Sequence, residues 1–182
     1  MKIRAANHQD AKGVAAIYGP LVRETAISFE AEIPTLDAFE ARIAETQHFY
    51  PWLVADIGGA VAGYAYAGAH RARAAYRWSC EVSVYVDAGS RRGGVASALY
   101  SELLFLLARQ NIRIAYAGIT LPNPASVALH EHLGFRAIGI YENVGYKNGR
   151  WHDVGWWGKQ LADPAKPVVE PIPLPELTLC QS

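Results

Sequence analysis

The stretch from Cys80 to Arg109 constrains the fold more than any other part of the chain. CEVSVYV (80–86) is followed by DAGSRRGG and then by VASALYSELLFLLAR (95–109), an apolar run with helical spacing. In a strand, successive side chains alternate between the two faces of the sheet. Cys80, Val82, Val84 and Val86 therefore share one face, and Glu81, Ser83 and Tyr85 the other. The unit reads as strand, sharp turn, helix. Gly93 and Gly94 permit the backbone conformations such a turn needs and let a ligand approach the main chain closely. The N–H groups at the helix start and the helix dipole favour an anion, and Arg91 and Arg92 add charge suited to phosphate oxygens. The plain alternative is a turn with two solvated arginines. The run is not a P-loop, since no Gly-Lys-Ser/Thr follows, and it is not GxGxxG.

Elsewhere the pattern alternates between strand and helix. KIRAA is a short strand. Val14, Ile17, Tyr18, Leu21 and Val22 recur at helical spacing, and Thr35 caps a second helix with Leu36, Phe39 and Ile43 on one face. WLVADI and VAGYAYAGA are strands joined by Gly58-Gly59, and WSCEVSVYV is a third. IRIAYAGI, a helix from Pro124 to about Leu133, and the strands GFRAIGIYENV and WHDVGWWGKQL close the domain. The predicted order is β-α-α-β-β-β-α-β-α-β-β. It implies an α/β (α+β) class with a central mixed, largely antiparallel sheet flanked by helices.

The chain has 182 residues and 51% hydrophobic content, enough for one core. Domain limits are expected at 1–161, followed by a proline-rich tail at 162–182. Lysine plus arginine and aspartate plus glutamate both number 17, so the formal net charge is zero. That argues against a general nucleic-acid binder. The N-terminus shows no apolar signal region and no run spans a bilayer, so no membrane partner and a cytoplasmic location are expected. Cys80 and Cys180 form no disulfide framework. His152 and Asp153 alone make no ligand set, so no metal is expected.

Arg91-x-x-Gly94-x-Ala96, placed between VSVYV and the apolar helix, resembles the acetyl-CoA pyrophosphate loop of the GNAT N-acetyltransferases, and the element order resembles that fold. Many of those enzymes carry glycine where Ala96 stands; both residues are small. The resemblance implies that the backbone N–H groups of Arg92, Gly93, Gly94, Val95, Ala96 and Ser97 hold the pyrophosphate. It also implies that Val84, Tyr85 and Val86 pair with the pantetheine arm and that Asn123 contacts acetyl-CoA. Asn123 is independently an N-cap before Pro124. His130 stands where many members carry a tyrosine that protonates the departing thiolate; the competing reading is a packed helix histidine. From Val86 back to Glu81 is about 17 Å at about 3.3 Å per residue, so the thioester end would arrive near Glu81. A carboxylate in an apolar strand is costly unless paired or useful, and the role expected for Glu81 is general base. A strand-edge salt bridge is the competing reading. Cys80, on the opposite face, is not expected to act as a nucleophile.

A narrower resemblance, carried by LPNPASVALHEHLGF and above all VGYKNGRWHDVGWW, is to phosphinothricin and methionine sulfoximine acetyltransferases over residues 1 to about 161. It implies a small glutamate-like amino acid acetylated on its α-amino group, a substrate loop that includes Arg71, Ala72 and Arg73, and a homodimer. Arg77 adds a third cation to that loop, although a solvated basic loop reads equally well. Phe29, Tyr64, Trp151, Trp156 and Trp157 are expected mainly in the core. The alternatives are a different amine acceptor (a polyamine, an aminoglycoside or a protein N-terminus) or an acyl-CoA sensor without chemistry.

Overall fold

Short-range signals set most element boundaries. Gly58 and Gly59, at φ +62° and +86°, form the tight turn that folds β2 (Trp52–Ile57) back on β3 (Ala60–Ala69). Thr35 accepts the N–H of Ala38 and starts α2 (Leu36–Gln47). Asn123 accepts the N–H of Ser126 and, with Pro124 at the first helical position, starts α4 (Pro124–His132). The remaining elements are β1 (Lys2–Ala5), α1 (Ala11–Glu24), β4 (Ser79–Val86), α3 (Val95–Arg109), β5 (Ile114–Thr120), β6 (Arg136–Lys147), β7 (Arg150–Gln160) and α5 (Leu174–Leu179). This computed structural model describes residues 1–179; Cys180 lies outside the described residues.

The strands form one sheet in the order β1-β2-β3-β4-β5-β7-β6. Only β4 and β5 run parallel, linked by the crossover helix α3; the other neighbours are antiparallel. Each face of the sheet carries its own core. Trp52, Val54 and Tyr64 meet Val14, Ile17 and Tyr18 of α1 and Phe39 and Ile43 of α2. Leu53, Ala65, Cys80 and Val82 meet Leu99, Leu103 and Leu107 of α3. Those three leucines are fully buried, each worth roughly 1.5–3 kcal/mol of transfer free energy. Gly63 lets α3 close in, because a Cβ there would lie 2.9 Å from both the Tyr85 carbonyl oxygen and Val95 Cγ1.

Three expectations are corrected. Leu36 does not join the buried stripe of α2: it opens the first turn and is largely exposed, leaving Phe39 and Ile43 to carry the face. Trp151 and Phe29 are also exposed, and Trp151 packs edge-on against Tyr146 beside the β6–β7 turn rather than in the core. Trp157 and Tyr64 are buried.

The proline-rich segment has irregular backbone up to α5, and its described residues pack on the rest of the chain. Arg113 donates to the carbonyls of Asp163, Lys166 and Pro167, and the Trp78 indole donates to Val169. The buried Gln110 amide bridges the carbonyls of Phe49 and Ile172. Leu177 is buried. Among the described residues, no helix is long and apolar enough to cross a membrane.

Candidate active site

β4 and β5 pair over only three rungs, Ser79–Ile114, Cys80–Ala115 and Glu81–Tyr116. Beyond Glu81 each strand keeps its outer partner: Ser83–Val86 stay on β3, and Ala117–Thr120 stay on β7. The inner edges part and leave a wedge-shaped cleft. Its walls are Val82–Tyr85 and Ala117–Thr120, and Tyr100, Asn123, Ser126, His130 and Ile27 complete it. The β5-facing backbone groups of β4 have no strand partner there, which is the condition under which a sheet edge receives an extended ligand.

The turn at the wide end of the wedge uses only one of its two glycines, Gly94, in left-handed backbone, with Arg92 rather than Gly93 as the other such residue. Asp87 accepts the N–H of Gly89 and starts a 3-10 turn over Ala88–Ser90. Arg92 and Gly94 then adopt left-handed backbone at φ +62° and +77°. Gly94 occupies the N-cap of α3 and offers no side-chain cap, so the first N–H groups of the helix, from Val95, Ala96 and Ser97, face no capping oxygen. Arg91, Arg92, Gly93 and Gly94 are exposed. This donor set fits an anionic phosphate group.

At the closed end stands Glu81. His70 Nδ1 donates to its Oε1 at 2.9 Å, and Arg71 Nη1 donates to the same oxygen at 3.2 Å. Arg71 and Glu81 thus form the strand-edge ion pair that was one reading of Glu81, and the side chain remains 38% exposed. Ala72 and Arg73 are exposed, and Arg73 precedes a 3-10 turn over Ala74–Tyr76. Arg77 turns away from the cleft: it forms a two-pronged pair with Glu170 at 2.6 and 2.7 Å and lies over the Trp78 ring.

His130 is buried. Its Nδ1 lies 2.7 Å from the Ser126 carbonyl, an acceptor only, so Nδ1 carries the proton and Nε2 accepts from the Tyr100 hydroxyl at 3.1 Å. Burial holds its pKa below the ordinary imidazole value, against the opposing pull of the Ser126 carbonyl. Burial likewise pushes the Tyr100 hydroxyl and the Cys80 thiol far up, so Cys80 is no thiolate. Among the described residues no group of three potential metal ligands gathers.

The structure therefore brings together Val84, Tyr85, Asn123 and His130 at the cleft, with Glu81 at its closed end and Arg91–Ser97 beyond its open end. Sequence reasoning missed His70, Tyr100, Ser126 and Ile27. His70 lies in the AHRARAAYR stretch, where the arginines drew the attention. Tyr100 falls within the apolar pattern of α3 and reads as core. Ile27 sits in a loop without periodicity.

Residues 3–156 match the family described as "Acetyltransferase (GNAT) domain". The chain is 41% identical over 167 residues to a phosphinothricin N-acetyltransferase of Streptomyces viridochromogenes, covering 92% of this chain and 91% of the relative. It is 34% identical to an L-methionine sulfoximine/L-methionine sulfone acetyltransferase of Salmonella typhimurium, covering 92% and 98%. Among solved structures, a phosphinothricin acetyltransferase from Sinorhizobium meliloti in complex with AcCoA superposes with a TM-score of 0.88 at 34% identity, over 93% of each chain. With the splayed β4–β5 pair and the uncapped glycine turn already in place, these likenesses settle the family: the chain belongs to the GNAT acetyltransferases.

Proposed function

We propose that the protein transfers the acetyl group of acetyl-CoA to the α-amino group of a small glutamate-like amino acid analogue such as phosphinothricin, methionine sulfoximine or methionine sulfone. The observation that carries this reading is the wedge between β4 and β5, which joins an anion-ready turn at one end to the Glu81 carboxylate at the other. The N–H groups of Arg92, Gly93, Gly94, Val95, Ala96 and Ser97, with the Arg91 and Arg92 side chains, hold the pyrophosphate. Val84, Tyr85 and Val86 offer backbone groups to the pantetheine arm, and Asn123 borders it. The thioester supplies an activated acetyl carbonyl and a leaving group that departs as a thiolate.

The protein then has three tasks. It holds amine and carbonyl in contact, which supplies much of the rate. It takes a proton from the amine, at Glu81 and its partners. A main-chain N–H on the unpaired edge of β4 offers a hydrogen bond to the developing oxyanion. Arg73 is available for the substrate carboxylate, whereas Arg71 is committed to Glu81; Ala72 keeps the loop between them narrow. His130, with its lone pair toward Tyr100, orients the Tyr100 hydroxyl at the cleft rather than delivering a proton itself. The buried, protonated Cys80 leaves direct transfer in a ternary complex as the route.

We also assign a homodimer, formed through the outer strand β6, whose Ile138, Ile140, Tyr141, Val144 and Tyr146 are all at least half exposed. The activity is tested by acetyl-CoA-dependent thiol release with methionine sulfoximine, phosphinothricin, methionine sulfone, spermidine and an aminoglycoside. Turnover confined to the first three is expected. Turnover only with the cationic acceptors overturns the substrate assignment, and binding of acetyl-CoA without any turnover overturns the enzymatic one.

A further inference from the structure

His70 stands at the closed end of the wedge, beside Glu81. Its ring lies 4.6 Å from that of Tyr116, the residue that pairs with Glu81 on the last rung of β4 and β5. Tyr76 and Trp156 meet it edge-on at 5.9 and 6.2 Å. Three aromatic neighbours and the 2.9 Å hydrogen bond from Nδ1 to Glu81 Oε1 leave the ring one orientation, and its side chain is 15% exposed. The charged and titratable groups around it are Glu81 on β4, Arg71 on its own loop, Tyr76 on the 3-10 turn and Tyr116 on β5. Both donors to Glu81 converge on Oε1. Among the described residues, nothing pairs with Glu81 Oε2 or with His70 Nε2.

A carboxylate that accepts the Nδ1–H of an imidazole sets the tautomer, places the free lone pair on Nε2 and stabilises the imidazolium once it forms. An imidazole also takes up and returns a proton near neutral pH, which a base must do in every cycle. We propose that His70 and Glu81 act as a dyad, with His70 Nε2 the atom that takes the proton from the incoming amine and Glu81 the residue that orients and supports it. This rests on the acetyl-transfer reading above and changes the group that accepts the proton.

The balance is simple. The substrate ammonium gives one proton to Nε2, and the imidazolium keeps its Nδ1–H on Glu81. The freed amine lone pair forms the C–N bond to the acetyl carbon, and the C–S bond breaks with its electron pair on sulfur. The second N–H proton ends on that thiolate, and His70 returns its proton to water.

The test compares wild type, His70→Gln, His70→Phe and Glu81→Gln, with methionine sulfoximine as acceptor. Expected for both His70 variants is a fall in kcat of at least about tenfold, since a positioned base contributes about 10²–10⁴-fold. The acidic limb of the kcat–pH profile should disappear, KM for acetyl-CoA should stay within about twofold, and added imidazole should restore part of the rate. A merely structural histidine would not remove the pH limb or respond to imidazole. If Glu81→Gln is inactive while His70→Gln keeps the wild-type rate and profile, the dyad falls and Glu81 alone remains the base. If both variants keep wild-type rates, the assignment of the base falls with it. Nitrogen-15 NMR of the labelled imidazoles supplies a readout without turnover: the Nδ1–H tautomer of His70 is expected in wild type and should be lost in Glu81→Leu, which removes the accepting oxygen. An Nε2–H tautomer in wild type overturns the proposal.

Discussion

Gly93 and Gly94 sit side by side in the turn before α3, yet the structure assigns them different reasons to be glycine. Gly94 adopts φ +77°, and a Cβ built there meets nothing within 4 Å. The penalty for Gly94→Ala is therefore purely one of backbone conformation, about 1–2 kcal/mol for an L-residue in the left-handed region. For a domain of this size, about 2–4 °C in Tm accompanies each kcal/mol, so a drop of about 2–8 °C is expected. Gly93 lies outside that region, and its Cβ would be 3.4 Å from the Ser90 carbonyl oxygen. Gly93→Ala should change stability by less than about 0.5 kcal/mol. The two diverge from the ligand's side as well: if the turn's main chain receives the pyrophosphate closely, Gly93→Ala raises KM for acetyl-CoA at unchanged Tm, and Gly94→Ala alters both. Differential scanning calorimetry and initial-rate kinetics on the two variants decide it. Equal Tm losses in both, or none in Gly94→Ala, would refute the backbone argument. An unchanged KM in Gly93→Ala would refute close approach at that residue.

His130 gives the folded protein a pH dependence whose sign follows from its burial. Its folded pKa lies below the ordinary imidazole value, so as pH falls through about 6.5 the unfolded chain binds protons that the folded one refuses. Stability should therefore decline with acidification and level off only below the folded pKa. Thermal unfolding between pH 7.5 and 5.5 should show a smaller slope for His130→Gln than for wild type, and equal slopes would contradict the assignment. On the outer strand, Ile140→Asp combined with Tyr146→Asp places two charges on an exposed apolar edge. Sedimentation should shift from dimer to monomer, and a monomeric wild type would sink the β6 interface.

The elements that carry the site were legible because each is specified by neighbours in sequence. The alternation of CEVSVYV puts Glu81 on the face opposite Cys80, and Asn123-Pro124 starts α4 with its cap and its fixed φ in adjacent positions. The Gly58-Gly59 turn and Thr35 worked for the same reason. Periodicity failed at ends: Leu36 has the right spacing but lies in the first turn of α2, and Trp151 beside the hairpin turn has no layer to cover it. The proline-rich segment shows the same limit. Its composition predicts an extended tail, whereas Leu174–Leu179 form α5 and the docking depends on carbonyls meeting Trp78, Gln110 and Arg113, residues about 50 to 90 positions away.

By itself, the sequence determined the order of elements from β1 to β7, a glycine turn before α3 and the face on which Glu81 stands. All of these are local consequences of side-chain period and backbone freedom. Only the tertiary structure decided where β4 and β5 part, that Arg71 and His70 share one oxygen of Glu81, that Arg77 turns to Glu170 and that His130 is buried between the Tyr100 hydroxyl and the Ser126 carbonyl. Protonation state and partner choice depend on burial and on distances of about 3 Å between side chains from different elements. No spacing along a single strand or helix encodes those distances.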